Sequence, residues 1–201
     1  MKNQTAQRAA AILLIAAITL YRLCMGFQGG LPDWVQNFAP VAAIALCGGA
    51  YLPRRMAFAV PLAAMLVSDI ALNWHYHAAV LSPEMISRYA ALAGTVWIGI
   101  ALRSRARLAT LLPASALGSV IFYVVTNTSA WVTSPAYART LAGWAQALTV
   151  GLPGYAPTWT FFRSSLISDL LFTSLFVFCM AATRAPEREA VIAPGATPAG
   201  R

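Results

Sequence analysis

Charge is what this chain lacks. Only 10% of its 201 residues are Asp, Glu, Lys or Arg, where a soluble domain carries about 25%. That shortage excludes a soluble enzyme, and the length leaves room for one membrane domain and little else. Cysteine is scarce too. Cys24, Cys47 and Cys179 have no CxxC spacing, so they read as small apolar side chains rather than a metal or redox motif. Walker A, HExxH and GxSxG motifs are missing, and no serine–histidine–acid arrangement stands out. The expectation is therefore a protein that is not an enzyme and holds no cofactor or metal. Uphill movement of a solute would draw on a partner ATPase or a coupled ion.

Apolar residues fill the space that charge leaves. They make up 59% of the chain, and mean hydropathy is +0.66. A span of ~30 Å needs roughly 17–25 such residues. Six runs approach this, at about 9–25, 37–52, 55–74, 86–102, 108–126 and 160–183. Pro40 falls in the first turn of the second run, Pro61 inside the third and Pro113 early in the fifth. Lys2 and Arg8 precede the first run as they would in a signal peptide. Arg22, however, stands where a cleavage site needs a small residue, so the segment reads as a retained first helix.

Basic residues set the expected orientation. With the N-terminus inside, the inner segments hold Lys2, Arg8, Arg54, Arg55, Arg103, Arg105, Arg107, Arg184, Arg188 and Arg201, against Arg22, Arg88, Arg139 and Arg163 outside: ten to four. The net charge of +8 thus reflects topology and not nucleic-acid binding. The expectation is an all-α bundle of about six transmembrane helices, N-in and C-in. It forms one domain over 1–183, followed by a disordered cytoplasmic tail over 184–201.

The outer segments carry the chemistry. The first holds Gln28, Gly29, Gly30, Asp33, Trp34 and Gln36. The second holds His75, Tyr76, His77 and Glu84. The third holds Trp131, Tyr137, Arg139, Trp144, Tyr155 and Trp159. Five of six tryptophans lie at or beyond the outer edge, whereas an aromatic belt populates both interfaces. Within 140–152, Leu141, Trp144, Leu148 and Leu152 recur at helical spacing, which predicts a short interfacial or re-entrant helix. It either lids a cavity or floats at the headgroups.

Two carboxylates interrupt the apolar runs. Asp69 sits in Leu66-Val67-Ser68-Asp69-Ile70 and Asp169 in Leu166-Ile167-Ser168-Asp169-Leu170. A charge at the centre of a membrane helix costs roughly 2.5–3.5 kcal/mol on insertion scales, so each needs a partner, a polar hollow or a ligand. Two readings fit: contact with a ligand in an outward-facing pocket, or hydrogen bonds that fix helix packing. Arg163, a turn and a half above Asp169, is the nearest candidate counter-ion. The two Ser-Asp segments lie 100 residues apart, in the third and sixth runs, as inverted three-helix repeats would place them; chance likeness of aliphatic runs explains them equally well.

The remaining polar residues have two readings each. Asn127, within Thr126-Asn127-Thr128-Ser129, either bonds a ligand or caps a helix end, and Trp131 either stacks on a ligand or anchors at the interface. His75 and His77 are either rim contacts of a pocket or interfacial histidines. In helix two, Ala39/Ala43 and Ala45/Gly49 form small-residue faces suited to close packing, internally or with a partner.

A family resemblance adds to this. Asn37-Phe38-Ala39-Pro40-Val41-Ala42-Ala43-Ile44-Ala45-Leu46 with Gly48-Gly49-Ala50-Tyr51, then Pro61 to Met65 leading to Ser68-Asp69, Thr126-Asn127 with Trp131, Tyr137, Gly151-Leu152 and Ser168-Asp169, resemble an uncharacterised bacterial membrane-protein family. That family looks like the substrate-binding S components of energy-coupling-factor (ECF) vitamin transporters. The resemblance covers about 37–178. It implies a six-helix bundle in the bacterial plasma membrane, a vitamin-like small solute in an outer pocket, and delivery through a separate scaffold and ATPase. Ala9 to Ala17 lacks the small-xxx-small pair with which S components dock on the scaffold, which leaves solitary action open. The candidate solute contacts are Asp69, Asn127, Trp131, Arg163 and Asp169, with His75 and His77 at the rim. The competing expectation is a structural or assembly membrane protein with capped aspartates and no cavity.

Overall fold

A computed structural model describes residues 2–28, 38–79 and 83–183. Among them are seven α-helices and no strand: α1 (Lys2–Phe27), α2 (Val41–Tyr51), α3 (Arg54–His75), α4 (Pro83–Ala101), α5 (Leu108–Thr133), α6 (Leu141–Leu148) and α7 (Thr158–Ala182). A 3₁₀ turn, Arg103–Arg105, joins α4 to α5. Four helices are long and apolar enough to cross a membrane: Gln4–Phe27, Arg54–His75, Leu108–Thr133 and Thr158–Ala182. Four such helices are the mark of a membrane protein. The expected first outer segment from Gly29 to Gln36 and the tail from Arg184 lie outside the described residues.

Five helices form a closed ring in the order α1, α3, α4, α5, α7, with α7 returning to α1. The sixth, α2, occupies the axis and packs against all five. Every residue from Ala42 to Ala50 is buried. This explains why α2 is apolar on all sides: a helix enclosed by protein has no polar face to keep. The ring helices show the opposite pattern, with Leu20, Val67, Trp97, Leu117 and Leu171 exposed on their outer surfaces. Large apolar side chains on the outside of every ring helix suit a lipid surround.

The expected full span over 37–52 is corrected. The helix is 11 residues long, about 16 Å at 1.5 Å per residue, or half of the ~30 Å hydrocarbon core. Pro40 precedes it instead of lying in its first turn, so the run Phe38 to Pro40 is not helical. The approach of α2 to α4 is backbone to backbone. A Cβ at Gly49 would collide with the Val96 carbonyl and lie 3.0 Å from Gly99 Cα, and a Cβ at Gly99 would collide with the Leu46 carbonyl. The small-residue face at Gly49 is therefore used internally.

Helix α5 overruns its expected end at 126 by seven residues, to Thr133. Its polar residues bond back to the helix instead of ending it. Thr126 Oγ1 donates to the Phe122 carbonyl (2.7 Å), Asn127 Nδ2 to that of Tyr123 (2.8 Å) and Thr133 Oγ1 to that of Ser129 (2.9 Å). The short helix expected within 140–152 is α6. Thr140 caps its start by accepting from Gly143 N at 3.1 Å. Gly151 and Gly154, at φ +69° and +89°, make the turns that follow, which glycine adopts without steric cost.

Candidate functional site

The basic residues sort by end. Arg8, Pro53 and Arg103 share a surface hollow at one end of the bundle, the end that also carries Arg54, Arg55, Arg105 and Arg107. Arg22, Arg88, Asn127 and Thr158 meet at the other.

Because α2 fills only half of the ring's axis, the other half is open. There lies a cavity of about 310 Å³, within the usual range for small-molecule sites. The first turn of α2 forms its floor with Val41 and Ala42. Its walls come from Arg22 of α1, Met65 of α3, Arg88 of α4, Ser119, Phe122, Tyr123, Thr126 and Asn127 of α5, and Thr158, Phe161, Phe162, Ser165 and Asp169 of α7, with Ala39 at the side. The walls differ in kind. Arg22 and Arg88 come from the helices that flank α3, whereas the rings come from α5 and α7 across the axis. Tyr123 and Phe162 pack against each other with centroids 4.7 Å apart.

The two aspartates, alike in sequence, do different work. Asp169 is 2% exposed. One oxygen accepts from the Ala43 backbone N–H at 2.9 Å and the other from Ser119 Oγ at 2.7 Å. The first N–H groups of a helix have no partner within it, and the half-length α2 brings them into the bundle interior. A carboxylate from α7 satisfies one of them and opposes the positive end of the helix dipole. Arg103 does the converse at the far end. Its Nη2 donates to the carbonyls of Gly49 (2.9 Å) and Leu52 (2.5 Å). Burial, and then the charge of Arg54, lower the Arg103 pKa from its ordinary value. The axial helix is thus held by an acid at its N-terminus and a base at its C-terminus.

Asp69 anchors an ion cluster. Its side chain is 1% exposed and pairs with Arg22 Nη2 at 2.7 Å and Arg88 Nη1 at 3.1 Å. Tyr89 donates its hydroxyl to the same carboxylate at 3.2 Å, and Arg22 also donates to the neighbouring Ser68 hydroxyl. Through these bonds Asp69 orients two guanidinium groups that line the cavity.

Of the seven residues expected at the site, Asp169 and Asn127 line the cavity, and Asp69 stands behind its arginines. Four are placed elsewhere. Arg163 is exposed and lies over the Trp159 ring, 5.5 Å from its centroid; it is not the counter-ion of Asp169, because that carboxylate faces inward to α2 and α5. Trp131 Nε1 donates to the Ala138 carbonyl at 2.8 Å, which ties the end of α5 to the following loop. His75 packs edge-on to Phe27. His77 takes the left-handed region at φ 52°, in the turn after α3. No residue of α6 lines the cavity. Instead α6 is fastened beside it: Trp144 Nε1 donates to Thr128 Oγ1 at 2.9 Å, and the Tyr123 hydroxyl donates to the Leu148 carbonyl.

Sequence reasoning missed Arg22 and Arg88 as site residues, counting them only as outer-side basic residues. One signal was available. A carboxylate near the C-terminal end of the third run needs a cation at similar depth, and these two lie at the matching ends of the first and fourth runs.

Residues 2–190 match DUF6580, a family of unknown function. Nothing among curated proteins or solved structures matches the chain.

Proposed function

We propose that this chain, which belongs to the DUF6580 family of unknown function, binds a small solute in the hollow above α2, as the solute-binding part of a membrane uptake system. The observation that carries the reading is the cavity of about 310 Å³, lined by charged, polar and aromatic groups inside a lipid-facing ring. An apolar bundle with no ligand would fill such a space with side chains, since protein interiors pack densely.

The finer topology belongs to the same proposal. α1, α3, α4, α5 and α7 cross the bilayer and α2 enters it halfway, giving six helices with both termini inside. The support is the arginine distribution: Arg8, Arg54, Arg55, Arg103, Arg105 and Arg107 against Arg22, Arg88, Arg139 and Arg163. By the positive-inside rule the hollow then opens to the exterior. This arrangement suits an S-component-like protein of a bacterial plasma membrane that takes up a vitamin-like solute. A scaffold and ATPase, or solitary action, would complete the transport.

A structural role without a solute has one observation in its favour, the protein partners of both aspartates. It predicted no cavity, and the cavity weighs against it. The deciding experiment is native mass spectrometry of protein purified in mild detergent from its own host, beside an Ala39→Trp variant that blocks the hollow. A co-purified small molecule, lost in the variant, is expected. Wild-type and variant spectra that show only lipid and detergent refute solute binding.

A further inference from the structure

The two walls of the hollow define the class of molecule that fits between them. On the α1, α3 and α4 side stand two guanidinium groups and one carboxylate, Arg22, Arg88 and Asp69. Among the described residues that cluster carries one positive charge in excess. Among the described residues, most of the N–H donors of its guanidinium groups have no protein partner: Arg88 makes one hydrogen bond, to Asp69, and Arg22 two, to Asp69 and Ser68. Asp69 itself is turned away from the space and occupied by three donors.

The other carboxylate, Asp169, does not cancel this excess at the same wall. It lies at the floor and faces the positive end of α2, whose dipole opposes its charge. Opposite the arginines, Phe122, Phe161 and Phe162 present aromatic surface. At about 310 Å³ the space lies at the small end of small-molecule sites, which suits a body of one or two fused rings.

Resting on the solute-binding reading above, we infer that the occupant is a small organic monoanion: a carboxylate seated on Arg22 and Arg88, carried by a flat apolar or aromatic body packed against the α5–α7 wall. A single negative charge balances the arginine cluster. A dianionic phosphate monoester would bring surplus negative charge into a space that Asp169 already shares. A cation would face the arginines unpaired.

The test uses three probes of one shape on the full-length protein in mild detergent: 2-naphthoate, 2-naphthamide and 2-naphthylmethylammonium, with binding followed by calorimetry. The naphthoate is expected to bind at least tenfold more tightly than the amide, with no measurable binding of the ammonium. Arg88→Gln should remove the preference for naphthoate over amide, and Arg88→Lys should restore part of it; Arg22 keeps Asp69 paired in both variants. Equal or tighter binding of the amide or ammonium overturns the anion assignment and leaves solute binding intact. So does retention of the tenfold preference in Arg88→Gln. Binding of none of the three at millimolar concentration also overturns it, and the co-purification experiment then decides separately whether the hollow holds a solute at all.

Discussion

Replacing Asp169 separates the roles of its charge and its hydrogen bonds. In Asp169→Asn, the amide oxygen still accepts from Ala43 N–H. The new NH2 group donates to Ser119 Oγ, whose own hydrogen turns to the Ser115 carbonyl 3.0 Å away. Only the charge–dipole contribution is lost, about 0.3–2 kcal/mol. In Asp169→Ala the same loss occurs, and the Ala43 N–H, at a residue with no exposed surface, is left without an acceptor. An orphaned buried donor costs about 1–3 kcal/mol more. With roughly 2–4 °C of melting temperature per kcal/mol at this chain length, the alanine variant should melt roughly 2–12 °C below the asparagine variant. The assay is a thermal melt of both variants and wild type in one detergent, followed by tryptophan fluorescence. Alanine and asparagine variants that both melt with wild type refute the capping of α2 by Asp169. Two variants that melt together, well below wild type, show that charge, and not the hydrogen bond, holds the helix.

Three further outcomes follow from the same geometry. Arg103→Ala strips a charged donor from two carbonyls at the end of α2 and should lower stability by about 1–3 kcal/mol, read in the same melt, with solute affinity unchanged because Arg103 lies at the opposite end. Gly99→Ala puts a methyl group against the α2 backbone and should destabilise by about 1–3 kcal/mol through overpacking; chemical denaturation checks it, and a neutral result contradicts the close crossing. Arg163→Ala, His75→Ala and His77→Ala, singly or together, should leave the affinity for any bound solute within about twofold, since none of the three side chains reaches the cavity; a loss of tenfold in calorimetry would return them to the site.

Asp69 and Asp169 were legible in the sequence as residues in need of partners, because a carboxylate among lipid-soluble side chains has no other means of staying charged. Their partners were not legible. Arg22 and Arg88 stand 47 and 19 residues from Asp69, and Ser119 stands 50 residues from Asp169. Pairings at those separations are set by how helices surround one another, which no local pattern encodes. The nearest arginine in sequence, Arg163, misled for the same reason: it shares a helix with Asp169 but not a face. Apolar run length found the four helices long and apolar enough to cross a membrane and misjudged α2, because an apolar run looks the same whether lipid or protein encloses it. Pro40 was visible, yet a proline marks a helix start without saying how deep in the bilayer that start lies. The tryptophan excess suggests a face that does more than anchor the protein; Trp131 and Trp144 use their indole N–H groups to tie the loop after α5 and the short α6 to α5.

A rod clasped at both tips is also a stopper. Sliding α2 by one turn, about 5.4 Å, would tear the Ala43 amide from Asp169 and the Gly49 and Leu52 carbonyls from Arg103 in the same motion. The hollow is accordingly a cup with a fixed base and not the upper half of a pipe. A solute resting in it would leave by the way it came, unless the whole bundle turned or the acid and base at the tips let go together.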